Sequence, residues 1–194
     1  PLAALSLFVM LSTVATTFVY FQQARIVSVA FPDKVRQTEV FAAIDAGVQG
    51  LTIFIQLFLT GPIARRLGLT VLLASVPIAM IGGFLTLAVF LSFPVLVGVM
   101  MFRRVGEYAL FRPAREMVFS AVDAETKYKS KNAIDTVVYR GGDLIAAWAS
   151  TAIVAVASPF AAAIAGAGVA VMWAWSGIAV GRRFDRKGPD APFT

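Results

Sequence analysis

Residues 95–119 read VLVGVMMFRRVGEYALFRPAREMVF. Val95 to Phe102 are apolar or small, and Arg103, Arg104 and Glu107 then arrive inside the same stretch. At ~1.5 Å per residue the stretch is long enough to cross a hydrocarbon core of ~30 Å as a helix. Counting from Pro94 places Arg103 roughly 13 Å into that core. A charge facing acyl chains at such depth is expensive, so ionisable side chains there line a cavity or pair with one another. The stretch therefore predicts a membrane-spanning helix with one protein-lined face.

Composition extends the reading to the whole chain. Of 194 residues 59% are hydrophobic and 14% charged, and the mean hydropathy is +0.80. Soluble domains carry about 45–50% apolar and about 25% charged residues. Cys and His are both absent, which excludes disulfides, thiolate or imidazole metal sites and any triad that needs an imidazole base. Apolar runs predict six spans near 2–24, 39–60, 70–91, 95–119, 132–153 and 159–180, followed by a basic tail at 182–194. Phe31-Pro32-Asp33, Gly61-Pro62, Ser92-Phe93-Pro94 and Ser158-Pro159 punctuate them as turns. The first run follows Pro1 with no basic leader and ends without a small-residue cleavage site. It reads as a span rather than a signal peptide, and the chain as a fragment.

Basic residues set the expected orientation. Arg65 and Arg66 lie in the second connection, Arg112, Arg115, Lys127, Lys129 and Lys131 around the fourth, and Arg182, Arg183, Arg186 and Lys187 after the last span. These regions share one side, which the positive-inside rule makes cytoplasmic, with both chain ends there. This topology accounts for the net charge of +6 without nucleic acid.

Polar residues mark four spans. Asp45, Gln49, Thr52 and Gln56 share one helical face of span two, and Asn132, Asp135, Tyr139 and Asp143 share one of span five. Span one offers Ser12, Thr13, Thr16, Thr17, Tyr20 and Gln23. Arg140 and Asp143 fall roughly 12–16 Å from the cytoplasmic end of span five, at the depth where transporters bind cargo. Two bland readings stand beside this one. Ser, Thr and Gln also hydrogen-bond helix to helix, and Arg103 with Glu107, or Arg140 with Asp143, can neutralise each other as structural pairs. Spans three and six carry almost no polar side chain. The order lined, lined, bare, twice over, is that of a three-plus-three repeat, one half of a twelve-helix major facilitator bundle. The expected fold is thus all-α and integral to the membrane, with a six-helix half-domain over residues 1–181.

Two motifs carry a family resemblance. Gly61-Pro62-Ile63-Ala64-Arg65-Arg66-Leu67-Gly68 is similar to the major facilitator loop signature, with Arg65 standing where that signature has an acid. The run Glu107-Tyr108-Ala109-Leu110-Phe111-Arg112-Pro113-Ala114-Arg115-Glu116-Met117, continued by Lys127 to Asp135 and by Val138 to Asp143, resembles the carboxy-terminal half of the ATP/ADP translocase family. The resemblance implies a twelve-helix carrier working by alternating access, with nucleotide exchange as its activity and a preceding six-helix half as its partner. A nucleotide brings three or four negative charges. Arginine clasps phosphate oxygens bidentately, and lysine meets them as a point charge.

The expected function is that of a secondary transporter, not an enzyme, in a bacterial inner membrane, moving an anionic solute such as a nucleotide. No cofactor, metal or nucleic acid is expected, and lipid is the surrounding partner. Candidate substrate-binding residues are Arg103, Arg104, Glu107, Arg112, Arg115, Asp135, Tyr139, Arg140 and Asp143. Candidate cavity or coupling residues are Asp45, Gln49, Gln56 and Thr16. In this scheme Glu107, Asp135 and Asp143 hold the arginines while the site is empty; Asp45 either couples a proton or cation or pairs with a neighbour. Backbone freed by Pro113 is expected beside the basic cluster, open to solute or water. A membrane scaffold or sensor with a basic docking loop is the competing class, and a lipid-modifying enzyme a weaker third, since no nucleophile–base pair stands out. No glycine loop leads into a lysine, so ATP hydrolysis is not indicated. Gly166-Ala167-Gly168 reads as close helix packing rather than a dinucleotide loop.

Overall fold

The computed structural model of the protein describes residues 2–120 and 159–187, together with 136, 140–142, 144, 147 and 148. All the elements it defines are helical: α1 (Leu2–Ala30), α2 (Lys34–Ile55), the π-helical turn π1 (Gln56–Thr60), α3 (Gly61–Val89), α4 (Phe93–Gly106), a second such turn π2 (Glu107–Phe111), α5 (Arg112–Ser120) and α6 (Pro159–Lys187). Most of the expected fifth span, and the end of the basic tail, lie outside the described residues. Three described stretches, Ala4–Ala30, Lys34–Val89 and Phe160–Arg186, are long and apolar enough to cross a membrane.

Two of the sequence breaks are where the turn residues put them. Asp33 caps α2, its carboxylate accepting the Val35 N–H at 3.1 Å. After Val89 the chain leaves the helix until Phe93, and Pro94 lies in the first turn of α4, where a missing N–H is harmless. The third break differs from expectation. The chain stays helical through Gly61-Pro62, and it turns instead at Gly68, with φ 77° and ψ 174°. A straight helix over the 56 residues from Lys34 to Val89 would run about 84 Å, far beyond a bilayer core. A side chain is strained at positive φ, so glycine is the residue that lets the chain break there. Past Gly68, the Asp185 carboxylate at the end of α6 accepts the Leu69 and Thr70 N–H groups, each at 3.1 Å, and the Thr70 hydroxyl at 2.6 Å. It serves as an N-cap supplied from more than a hundred residues away.

The two bare helices, α3 and α6, run along one another, and α6 also packs on α1. Glycines permit the approach. A Cβ at Gly166 would lie 2.6 Å from the Phe84 ring, and one at Gly181 would lie 2.3 Å from the Thr70 Cα. Within a bilayer such contact draws on van der Waals packing rather than on water release, and small residues are what allow it. Phe8 of α1 joins this core, 5.0 Å from the Phe111 ring and 5.9 Å from that of Trp173. On their outer faces the same helices expose Val71, Ile78 and Leu85, and Ile164, Val171 and Trp175. α4 is pressed between α2 and α3. Gly106 lets it approach Val76, to 2.6 Å from where a Cβ would stand, and a small core of Ile44, Val48, Val105 and Ala109 joins it to α2.

Candidate solute-binding site

With α4 wedged in this way, its two consecutive arginines diverge. Adjacent residues on a helix project about 100° apart, so Arg103 reaches α1 while Arg104 reaches α2. Arg103 donates one Nη1 to Glu107 at 2.8 Å and to the Thr16 hydroxyl at 3.0 Å. That pair is largely dry, its side chains 12% and 19% exposed. Arg104 pairs with Asp45 across the helix interface, and this pair is wetter, at 24% and 55%. Between α1, α2 and α4 lies a cavity of about 290 Å³ lined by Thr16, Tyr20, Gln23, Phe41, Asp45 and both arginines. The Arg103 Nε is buried and has no hydrogen-bond partner among the described residues. A guanidinium carries five donors in a fixed fork, so Arg103 is oriented by two partners and still has donor capacity for an acceptor oxygen.

A family profile described as TLC ATP/ADP transporter matches residues 70–184, more than half of the chain and all of α4. The chain belongs to that family. It is an integral membrane protein of a transporter family, and the resemblance read from residues 107–143 holds. Comparisons with curated proteins and with solved structures find no match.

Below the arginines, the TLC chain is shaped by two facing π turns. In π2 the Arg112 N–H reaches back five residues to the Glu107 carbonyl, which leaves the Tyr108 carbonyl without its helical donor. Pro113 has no N–H to offer the Ala109 carbonyl four residues before it. Both orphans are met from π1: the Gln56 amide donates to Tyr108 O at 2.8 Å, and the Thr60 hydroxyl to Ala109 O at 2.7 Å. The backbone freed by Pro113 is therefore closed by protein, contrary to the expectation that solute or water would meet it. Gln56 spends its amide on this joint, which is a structural task.

The remaining candidates are distributed differently. Gln49 is exposed on α2, and Arg112 is exposed with its guanidinium 4.5 Å above the Tyr108 ring, a cation–π stack. Arg115 is half-buried on α5. Arg140 is exposed, while Gly142 is buried against α1, a Cβ there meeting Met10 and Thr13 at 3.4 Å, one turn from Thr16. Asp135, Tyr139 and Asp143 lie outside the described residues. Among the described residues no His, Cys, Asp and Glu cluster suits a metal. Sequence reading did not single out Phe41 or Thr60. Phe41 carries no polar signal to find it by. Thr60 stands immediately before Gly61-Pro62, and counting the N–H groups that Pro62 and Pro113 cannot supply marks those two regions as needing outside donors.

Proposed function

We propose that the protein is the carboxy-terminal half of a nucleotide exchanger of major facilitator architecture, binding a nucleotide or similar organic phosphate between spans one, two, four and five and moving it by alternating access. Arg103 carries the reading. It is a largely buried guanidinium lining a cavity, held in place by Thr16 and Glu107, with donor capacity beyond those two partners. Arg104 is the second phosphate contact, and Tyr20 and Phe41 give the cavity wall an apolar surface for a base or sugar. Arg140 completes the cationic set from span five, with Asp135 and Asp143 as its counter-charges. The basic connections face the cytoplasm of a bacterial cell.

The test is counterflow of labelled ATP, ADP and other organic anions into proteoliposomes holding the full-length gene product. Arg103→Gln removes a charge-assisted contact of ~1.5–3 kcal/mol, which lowers nucleotide affinity about 10- to 100-fold. Arg140→Gln has the same direction. Uptake at wild-type levels in both variants, with the protein folded, refutes the assignment.

A further inference from the structure

We infer that Asp45 is the residue that makes transport an obligatory exchange: it occupies Arg104 in the empty carrier and gives it up to the phosphate of arriving cargo. The inference rests on the nucleotide reading above and adds to it the group that forbids an empty return.

The two ion pairs at the cavity differ in ways that decide which one opens. Arg103 and Glu107 stand four residues apart on one continuous helix, so any movement of that helix carries both together. Their exposures of 12% and 19% mean that a parted Glu107 would be a charge held mostly away from water, which is costly. Arg104 and Asp45 belong to different helices, 59 positions apart. With Asp45 55% exposed, its carboxylate is solvated as soon as the pair parts, so an anion competes for Arg104 against a weak, wet partner. Among the described residues the Arg104–Asp45 pair is the ionic link between α2 and α4 at the cavity, and beside it Ile44 and Val48 pack on Val105 of α4 and Ala109 of π2.

Two states follow. Without cargo, the pair fastens α2 to α4 and resists their separation. With cargo, Arg104 turns to phosphate, Asp45 passes to water and the helices are free to move. Only the loaded carrier reorients readily, which is exchange. Asp45 is a positioning residue here, acting through Arg104, and neither cation nor proton coupling is required of it.

The experiment compares two fluxes from proteoliposomes loaded with labelled ADP, using the full-length gene product: efflux into buffer lacking nucleotide, and efflux into buffer containing ADP. In the wild type the second far exceeds the first. Asp45→Asn raises the nucleotide-free efflux roughly tenfold, equivalent to ~1.4 kcal/mol removed from the empty-carrier barrier. Asp45→Glu keeps the wild-type ratio, and Glu107→Gln does not produce the rise. Asp45→Ser gives the same result as Asp45→Asn and takes its place if that protein does not fold. An unchanged flux ratio in a transporting Asp45→Asn or Asp45→Ser carrier overturns the inference, as does loss of both fluxes in a folded one, or a rise with Glu107→Gln alone. A wild type that shows no ADP counterflow sinks the nucleotide reading instead, so the two failures are told apart.

Discussion

The seam between α3 and α6 and the cleft between α1, α2 and α4 are built on opposite rules. At the seam, glycines bring backbones together and almost nothing polar intervenes: Gly166 admits the Phe84 ring, Gly177 the Leu73 carbonyl, and Gly181 the Thr70 backbone. In the cleft, long charged side chains stand between the helices and join them, Arg104 to Asp45 by an ion pair and Arg103 to Thr16 by a hydrogen bond. The seam is rigid because contacts at backbone distance have nowhere to go. The cleft has slack, because a guanidinium can exchange one oxygen partner for another. A transporter needs both, a firm body and a site whose bonds are replaceable.

Breaking the seam should have the largest effect. A Cβ at Gly181 would stand 2.3 Å from the Thr70 Cα, and backbone cannot step aside as a side-chain tip can. Gly181→Leu should therefore yield no folded protein. Gly181→Ala should lose stability by at least the ~1–3 kcal/mol typical of overpacking, read as a fall in unfolding temperature in detergent. Gly168→Ala, where nothing lies within 4 Å, is the internal control. It should be neutral or gain up to ~1 kcal/mol of helix propensity. Equal losses at Gly181 and Gly168 would show that the seam is not tight.

The joint between π1 and π2 lies between these extremes, polar but not ionic. Thr60→Val keeps the shape and leaves the Ala109 carbonyl without its 2.7 Å donor, an expected loss of about 1–3 kcal/mol. Pro113→Ala returns an N–H that can serve the same carbonyl. The two substitutions should then be coupled: Thr60→Val costs less in the Pro113→Ala background than alone, by ~0.5 kcal/mol or more, in a double-mutant cycle. Strict additivity would mean that the hydroxyl and the missing N–H do not answer the same oxygen.

How legible all this was depended on whether a feature is local. Span four was readable because its charges interrupt an apolar run within a few residues. The pairing of Arg103 with Glu107 was readable because four residues is one helical turn. Asp45 could be placed on a polar face but not assigned to Arg104, since nothing local measures a separation of 59 positions. The break at Gly68 went to Gly61-Pro62 instead, because a proline near a helix start suits the helix as well as it suits a turn. The small-residue pattern of span six did announce close packing, though not that Phe84, Leu73 and Thr70 would be what it packs on.

The smallest expected effect concerns the cap on the second part of α3, and it sharpens the contrast by putting one charged group on the rigid side. The loop signature has Arg65 where an acid is usual, yet a carboxylate does reach this bend, from Asp185 of α6. Free N–H groups at a helix start carry partial positive charge and favour an anion. Asp185 is exposed, so its contribution is that of an ordinary cap rather than a buried pair. Asp185→Ala should cost about 1 kcal/mol, and Asp185→Asn less, since its amide oxygen still accepts. Because the cap touches neither arginine and lines no part of the cavity, neither change should alter nucleotide affinity or the exchange ratio. A shift in the exchange ratio with Asp185→Ala, at unchanged stability, would mean that the bend at Gly68 takes part in reorientation, and the division between firm body and replaceable bonds would have to be redrawn at that point.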